Sequence, residues 1–159
     1  MSRTFLWPQG YTSAAMISVN LDAEFYGRIF YPGIDVSEGD IQRLGWTGME
    51  YGLPHLLDCF REHGVKGTFF IPGRVAELYP DAVRAIADAG HELGCHGYEH
   101  EILAHFTPEE QLELLKKAKA AIEKAAGRAV TGFRMPEGEI TEQTLVAAKE
   151  AGFAYSSSL

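Results

Sequence analysis

The sequence predicts an α/β fold in which parallel strands are joined by helices, within one domain. Short apolar segments alternate with amphipathic ones along the chain, a pattern typical of parallel sheets with right-handed helical crossovers. The length of 159 residues is enough for one core and short for two ordinary domains, so residues 1–159 are interpreted as a single domain. An open doubly wound sheet and a barrel both satisfy this pattern, and periodicity does not separate them.

Five strands and four helices are expected in alternation. The predicted strands cover residues 14–19, 66–71, 91–96, 130–133 and 153–155, and the predicted helices cover residues 47–63, 81–89, 107–126 and 141–151. A polar and aromatic loop is predicted over residues 23–46. The clearest boundary is a helix start at Thr107, where Pro108 fits the first helical position and Glu110 completes a capping box.

Charge and composition exclude several classes of partner. The net charge of -8 makes nucleic acid a poor partner, because phosphate binding requires clustered Lys and Arg. No apolar run has the length of a signal peptide or a membrane span, so we expect a cytoplasmic protein that does not bind membranes. Cys59 and Cys95 are therefore expected to be reduced, small core residues.

Polar residues follow three of the predicted strands, and ligand sites of parallel α/β folds lie at the carboxyl ends of strands. Asn20, Asp22 and Glu24 follow the first strand, where alternate side chains point to the same side. Alone, such residues are more often part of a turn.

The second cluster contains His96 and His100, which share one face if this segment takes a helical turn. The chain has six histidines, so a pair at this spacing also arises by chance. The remaining four, His55, His63, His91 and His105, are interpreted as structural or exposed. Together with Asp22, the pair forms a plausible ligand set for a divalent metal ion.

The third cluster, residues 134–138, reads Arg-Met-Pro-Glu-Gly and predicts a rigid turn beside a fixed cation. The order of an Asp motif, His-x-x-x-His and Arg-x-Pro-x-Gly resembles the polysaccharide deacetylase family (NodB homology, carbohydrate esterase family 4). Residues 64–73, 90–100 and 152–159 look like the family's second strand, histidine motif and fifth strand. The variant forms of the motifs are most similar to the family's cytoplasmic branch, which includes peptidoglycan-deacetylase-like and allantoinase-like proteins.

The resemblance implies a distorted seven-stranded (β/α) barrel, here incomplete with about five parallel strands and corresponding to the N-terminal part of the domain. It implies Asp22, His96 and His100 as ligands of a divalent metal, usually zinc. It also implies that Arg134 orients a catalytic carboxylate and that the backbone amide of Glu137 stabilises an oxyanion.

The sequence departs from the family pattern in two ways. The family's general base is a carboxylate near the position of Asn20, and an amide cannot accept a proton at neutral pH. Glu24 is the expected substitute, with Arg134 as its possible partner. The sequence also stops at Leu159, before the later strands and the histidine that acts as general acid in the family. An unpaired last strand would favour self-association, so a homo-oligomer is expected.

The leading functional hypothesis is a metal-dependent hydrolase of carbon–nitrogen bonds that removes acetyl groups from an N-acetylated sugar or polysaccharide. A cyclic amide or imide hydrolase, similar to allantoinase, is an alternative substrate class. A catalytically inactive fragment that binds carbohydrate or metal is a second alternative, favoured by the missing base and acid. A purely structural α/β domain is the third.

Overall fold

The computed structural model describes residues 9–26 and 37–158. Five parallel strands form one sheet: β1 (Ser18–Asn20), β2 (Thr68–Ile71), β3 (Glu92–Cys95), β4 (Gly132–Phe133) and β5 (Tyr155–Ser156). The helices are α1 (Glu38–Thr47), α2 (Leu53–Glu62), α3 (Gly73–Leu78), α4 (Pro80–Asp88), α5 (Pro108–Ala126) and α6 (Glu142–Glu150). Short 3₁₀ turns cover Ala23–Phe25, Leu103–His105 and Pro136–Gly138.

The strand order distinguishes between the two architectures that the sequence left open. The strands lie in the order β1-β2-β3-β4-β5, so each pairs with its neighbour in sequence. A doubly wound sheet reverses its order at a switch point, whereas a barrel keeps the sequential order. The arrangement is therefore that of a (β/α) barrel, and it is incomplete because β1 and β5 do not pair within the described residues.

The core lies between this sheet and the helices on its outer side. All four residues of β2 are buried, as expected for a strand with neighbours on both edges and packing on both faces. The longest helix, α5, buries Leu115, Ala118 and Ile122 along one stripe against the sheet. It begins as predicted, because the Thr107 side chain and the Glu110 side chain each accept a hydrogen bond from the other residue's backbone.

Two helices occur where the sequence did not predict them. Helix α1 lies within the predicted loop 23–46, and a π-helical turn over Gly48–Gly52 joins it to α2. Its glycines resemble a loop signal, yet Gly45 is needed for packing: a Cβ there would lie 2.5 Å from the backbone nitrogen of Glu24. Helix α3 was missed because it is only six residues long.

The first strand is shorter than predicted. Only Ser18–Asn20 pair with β2, whereas Met16 and Ile17 are exposed. The remaining predicted strands and helices are confirmed in type and position, within a few residues at their ends. Among the described residues, no helix has the length and apolarity needed to cross a membrane.

The cysteines and the four additional histidines follow their predictions with one exception. Cys95 is buried, but Cys59 is exposed on the outer face of α2, so the prediction of two core cysteines was wrong for Cys59. Both thiols are free. His91 is buried and its Nδ1 accepts the backbone N–H of Gly67 at 3.1 Å, which is a structural role, whereas His55, His63 and His105 are exposed.

Candidate metal centre

Asp22, His96 and His100 come together at the carboxyl ends of β1 and β3. The Nε2 atoms of His96 and His100 each lie 3.7 Å from a different carboxylate oxygen of Asp22. One ligand atom from each residue lies within 4.8 Å of the others. All three residues are buried. Two imidazoles and one carboxylate at this separation can hold a divalent ion while leaving positions for water and substrate.

Asp22 is held by the turn that follows β1. The backbone N–H of Leu21 still pairs with the carbonyl of Phe70, at 2.9 Å, but Asp22 adopts a helical conformation and caps a 3₁₀ turn. Helix α1 packs closely on this turn through Gly45. The carboxylate is therefore placed by backbone geometry on one side and helix packing on the other.

The histidine segment is an irregular loop and not the helical turn that the spacing suggested. His96 extends the pairing of β3, and the chain then bends through Gly97 (φ 75°) and His100 (φ 62°). The loop is fixed by α3, because the backbone N–H of Gly73 donates to the carbonyl of Gly97 at 3.0 Å. A non-glycine residue at positive φ stores strain, and such strain is concentrated at functional sites.

Each histidine presents its Nε2 to Asp22, but only His96 has a hydrogen-bond acceptor for its other nitrogen, since His100 Nδ1 makes no hydrogen bond within the described residues. The Nδ1 of His96 lies 2.8 Å from the carbonyl of Arg134, so this nitrogen carries the proton and donates it. The Nδ1 of His100 lies 3.6 Å from a carboxylate oxygen of Glu137. Acceptors on the far nitrogen fix the tautomer and orient the ring of a metal-binding histidine. The acceptor thus leaves Nε2 as the ligand atom of His96, and on His100 Nε2 is the candidate ligand atom because it is the nitrogen that faces Asp22.

Burial sets the protonation of the centre. It raises the pKa of Asp22 to about 7, with a further contribution from the nearby carboxylate of Glu137, and lowers the pKa of His96 to about 4. Burial also lowers the pKa of His100. Both imidazoles are therefore neutral at neutral pH, which is the state that binds metal.

Two polar atoms that face each other at the centre have no hydrogen-bond partner, as expected for ligand atoms of a metal ion. Asp22 Oδ1 and His96 Nε2 are buried and make no hydrogen bond within the described residues. Unpaired buried polar atoms are rare in folded proteins because they cost about 1–3 kcal/mol each. A divalent cation between them would satisfy these atoms and neutralise the carboxylate, so the residues present fit the group that the sequence implied.

Arg134 forms a second cluster directly behind the carboxyl end of β1. One guanidinium nitrogen donates to Asn20 Oδ1 at 2.9 Å, and the other donates to Ser18 Oγ at 3.0 Å and Ser157 Oγ at 2.8 Å. The guanidinium also lies 4.1 Å from the centroid of the Phe70 ring. Arg134 therefore holds the amide of Asn20, and its expected role of orienting a catalytic carboxylate stays a prediction.

Glu24 does not join Arg134, so that predicted pairing was wrong. Alternation along an extended strand would bring Asn20, Asp22 and Glu24 to one side, but the chain leaves the extended conformation at Asp22, and Ala23 has φ 48°. The Glu24 carboxylate instead accepts the Tyr79 hydroxyl at 3.2 Å and lines a neighbouring cavity.

The side chain of Glu137 lies at the metal centre, close to His100, and Glu137 lines the cavity there. The sequence predicted a role only for its backbone amide. Glu137 sits in the turn Pro136–Gly138 at φ 57°, and burial raises the pKa of its carboxyl, with the nearby carboxylate of Glu139 adding to the rise. The cavity has a volume of about 540 Å³ and is lined by Asn20, Asp22, Tyr26, His96, His100, Arg134, Met135, Glu137, Gly138, Ser157 and Ser158.

Ser157 and Ser158 were also missed. Both follow β5. Ser158 stabilises the turn after β4, because its Oγ accepts a hydrogen bond from the backbone N–H of Met135 at 2.8 Å. The rule that identified the other clusters, polar residues directly after a strand, would have found them.

The fold and the centre together define a (β/α) barrel protein with a candidate metal site at the carboxyl ends of its strands. The family model for polysaccharide deacetylases matches residues 46–156. The chain belongs to the polysaccharide deacetylase family.

Relatives of the chain include proteins named as peptidoglycan deacetylases. It is 36% identical over 129 residues to a peptidoglycan deacetylase of Helicobacter pylori, a match that covers 81% of this chain and 43% of that protein. It is 39% identical over 100 residues to a peptidoglycan-N-acetylglucosamine deacetylase of Bacillus cereus, covering 63% of this chain and 36% of that one. The chain thus spans less than half the length of these two relatives.

Solved structures give the same fold. A putative polysaccharide deacetylase from Mycobacterium smegmatis superposes with a TM-score of 0.84 at 33% identity, covering 98% of this chain and 54% of that chain. A carbohydrate esterase family 4 pseudoenzyme from Bacillus anthracis gives a TM-score of 0.65 at 30% identity, over 69% of this chain and 38% of that one. A mutant of that pseudoenzyme, described as having restored enzymatic activity, matches equally well, with a TM-score of 0.65.

Proposed function

We propose that this chain carries the metal-binding half of a deacetylase that hydrolyses the acetamide of an N-acetylated sugar polymer. The observation that carries the proposal is the convergence of ligand atoms of Asp22, His96 and His100, of which Asp22 Oδ1 and His96 Nε2 are buried without a hydrogen-bond partner. Family membership supports the reaction class, and relatives described as peptidoglycan deacetylases favour an N-acetylated glycan over a cyclic imide. Zinc is the proposed ion, because two imidazoles and one carboxylate are typical zinc ligands.

The residues of the centre have different roles in the proposed reaction. When bound, a divalent ion supplies Lewis acidity toward the amide carbonyl and lowers the pKa of water. The carbonyl of Arg134 accepts the His96 Nδ1 proton and so keeps Nε2 of that ring directed at the centre, and the Glu137 carboxylate lies 3.6 Å from Nδ1 of the His100 ring. Glu137 also lines the cavity, and its backbone amide is the proposed donor that would stabilise negative charge on the carbonyl oxygen.

Asn20 limits this chemistry. Its oxygen is occupied by Arg134, and its amide nitrogen is only a donor, so it cannot take a proton from water. Loss of a general base reduces a hydrolysis rate by roughly 10²–10⁴-fold. This observation favours a second candidate function, a non-catalytic domain that binds glycan through the same centre, and the neighbouring family pseudoenzyme is a precedent for such a state.

A matched pair of variants tests the proposal and separates it from the second candidate. Asn20→Asp restores a carboxylate that Arg134 can hold through a charge-assisted hydrogen bond from the nitrogen that now donates to Asn20. We expect the zinc-loaded parent to release little acetate from N-acetylglucosamine oligomers and Asn20→Asp to release at least about a hundredfold more.

Asn20→Asp combined with His96→Ala should return to the background rate. If Asn20→Asp binds zinc and the oligomer but remains as slow as the parent, the hydrolase proposal fails and the non-catalytic function remains.

A further inference from the structure

A second cavity of about 510 Å³ opens beside the metal centre, between the turn after β1 and the helices α1 and α3. Its walls include Glu24, Gln42, Trp46, Arg74 and Tyr79. The volume is in the range of small-ligand sites, which are usually apolar surfaces with a few placed polar groups. None of these five residues takes part in the metal centre.

Trp46 gives the cavity an exposed aromatic surface. Its side chain is 48% exposed, although tryptophan is usually well buried. The ring of Tyr51 contacts it edge-on, with centroids 5.7 Å apart and planes at 83°, so the indole has a defined orientation. An oriented, half-exposed indole at a cavity wall is suited to stacking against a flat, partly apolar ligand.

The polar groups around the indole, which include a second carboxylate from Glu99, disfavour an anion and suit a ligand rich in hydroxyls. The Glu24 carboxylate accepts the Tyr79 hydroxyl and keeps further acceptor capacity. The amide of Gln42 is exposed and can donate or accept. Arg74 is already paired with Glu77 at 2.6 Å, so it does not offer an unpaired cation to a phosphate or sulfate. A pyranose ring combines the two required properties, an apolar C–H face and hydroxyl groups at its edge.

The cavity and the metal centre are held at a fixed separation. Glu24 follows Asp22 by two residues, and Gly45 precedes Trp46 directly. A Cβ at Gly45 would lie 2.5 Å from the backbone nitrogen of Glu24 and 2.8 Å from its Cα, so α1 can rest on this turn only because position 45 is glycine. The same close contact therefore positions both the metal ligand and the aromatic wall.

We propose that the cavity between α1 and α3 is a subsite for a sugar unit of a glycan whose neighbouring unit occupies the metal centre. The inference rests on the proposed function, because it takes the ligand of the metal centre to be a sugar polymer. It adds a second site of recognition and makes Trp46 a determinant of selectivity for oligomers over single sugars.

Tryptophan fluorescence can report on this subsite directly. The chain has two tryptophans, so Trp7→Phe leaves Trp46 as the only indole. We expect Trp46 to be quenched by acrylamide in the free protein and protected when the tetramer of β-1,4-linked N-acetylglucosamine is added. A Trp46 already shielded in the free protein would overturn the proposal, since the cavity would then be filled.

Affinity measured by calorimetry on the zinc-loaded protein provides the decisive comparison. The parent should bind the tetramer more tightly than the monosaccharide, and Trp46→Ala should weaken tetramer binding about tenfold or more, as expected for loss of an aromatic anchor. Monosaccharide binding should be unchanged. Trp46→Tyr should recover part of the affinity, and Leu44→Ala, an exposed residue on the same helix, should have no effect.

The outcomes separate this inference from the proposed hydrolysis. Equal tetramer affinity in the parent and Trp46→Ala, or no tetramer binding by the parent, overturns the subsite. Hydrolysis is judged independently through acetate release by Asn20→Asp. Failure of that activity with Trp46-dependent binding intact would refute the proposed reaction and leave the subsite standing.

Discussion

The buried carboxylate of Asp22 should destabilise the metal-free protein, and Asp22→Asn should relieve that penalty. Burial raises the pKa of Asp22 from 3.8 to about 7, so folding disfavours the ionised form. At 1.36 kcal/mol per unit, this corresponds to a penalty of roughly 4 kcal/mol at most above pH 7. The penalty is fully present above the folded pKa and decreases as the pH falls from 7 toward 3.8.

The assay is thermal unfolding with chelator present at pH 8 and at pH 5. Asp22→Asn should melt several degrees above the parent at pH 8, because about 1 kcal/mol shifts the melting temperature by about 2–4 °C in a chain of this size. The difference should fall to less than half at pH 5. The control is Asp58→Asn, which removes an exposed ion pair with Arg61 and should change stability by less than about 1 kcal/mol.

Added zinc should reverse the order of stability. The parent should be stabilised by the ion, because binding to the folded state shifts the unfolding equilibrium, whereas Asp22→Asn should respond weakly. An Asp22→Asn protein that is no more stable than the parent at pH 8 without metal would refute the reasoning, since the carboxylate would then be well solvated or already paired.

Two further predictions concern the scaffold of the centre. In the Asp22→Asn background, stability to urea without metal should fall as the pH drops from about 6.5 toward 4. Burial lowers the pKa values of His91, His96 and His100 in the folded protein, so the unfolded chain takes up protons first and is favoured as the pH falls. A stability that does not change with pH in this range would contradict the assigned burial. Gly73→Ala should cost about 1–3 kcal/mol, measured by urea denaturation, because its Cβ would lie 2.5 Å from Ala118 Cα and 2.9 Å from the Tyr98 ring. Gly48→Ala is the matched control, because a Cβ at that position would meet open space, and it should leave the free energy of unfolding unchanged or slightly increased. Equal effects of the two substitutions on stability would show that α3 and α5 are not in close contact.

The sequence predicted those parts of the fold that depend on local pattern. The capping box at Thr107 determines where α5 begins, and the apolar run within residues 66–71, stopped by Pro72, is typical of a strand, so both were found. Strand order depends on contacts between residues far apart in the sequence, such as the pairing of β1 with β2 and of β4 with β5, and local pattern does not determine it. Helix α1 was missed because Gly45 serves tertiary packing and weakens the local helix signal.

In the site, too, sequence motifs predicted some features, whereas others depend on the conformation of the chain. Motif order identified the residues that meet at the centre, Asp22, His96 and His100, although the predicted helical turn between the histidines was wrong. The assignment of Glu24 as the partner of Arg134 failed because it assumed an extended chain through Ala23, which instead adopts a left-handed turn. A left-handed residue followed by a 3₁₀ turn ends the alternation of side chains, and the local sequence pattern did not indicate it.

Metal content tests the central claim most directly. The protein should be loaded with zinc, passed through a desalting column and analysed for metal and protein in the same sample. We expect one ion per chain in the parent and in His63→Ala, an exposed histidine outside the centre, and almost none in His96→Ala. Equal zinc content in the parent and His96→Ala, with both proteins folded, would contradict that claim.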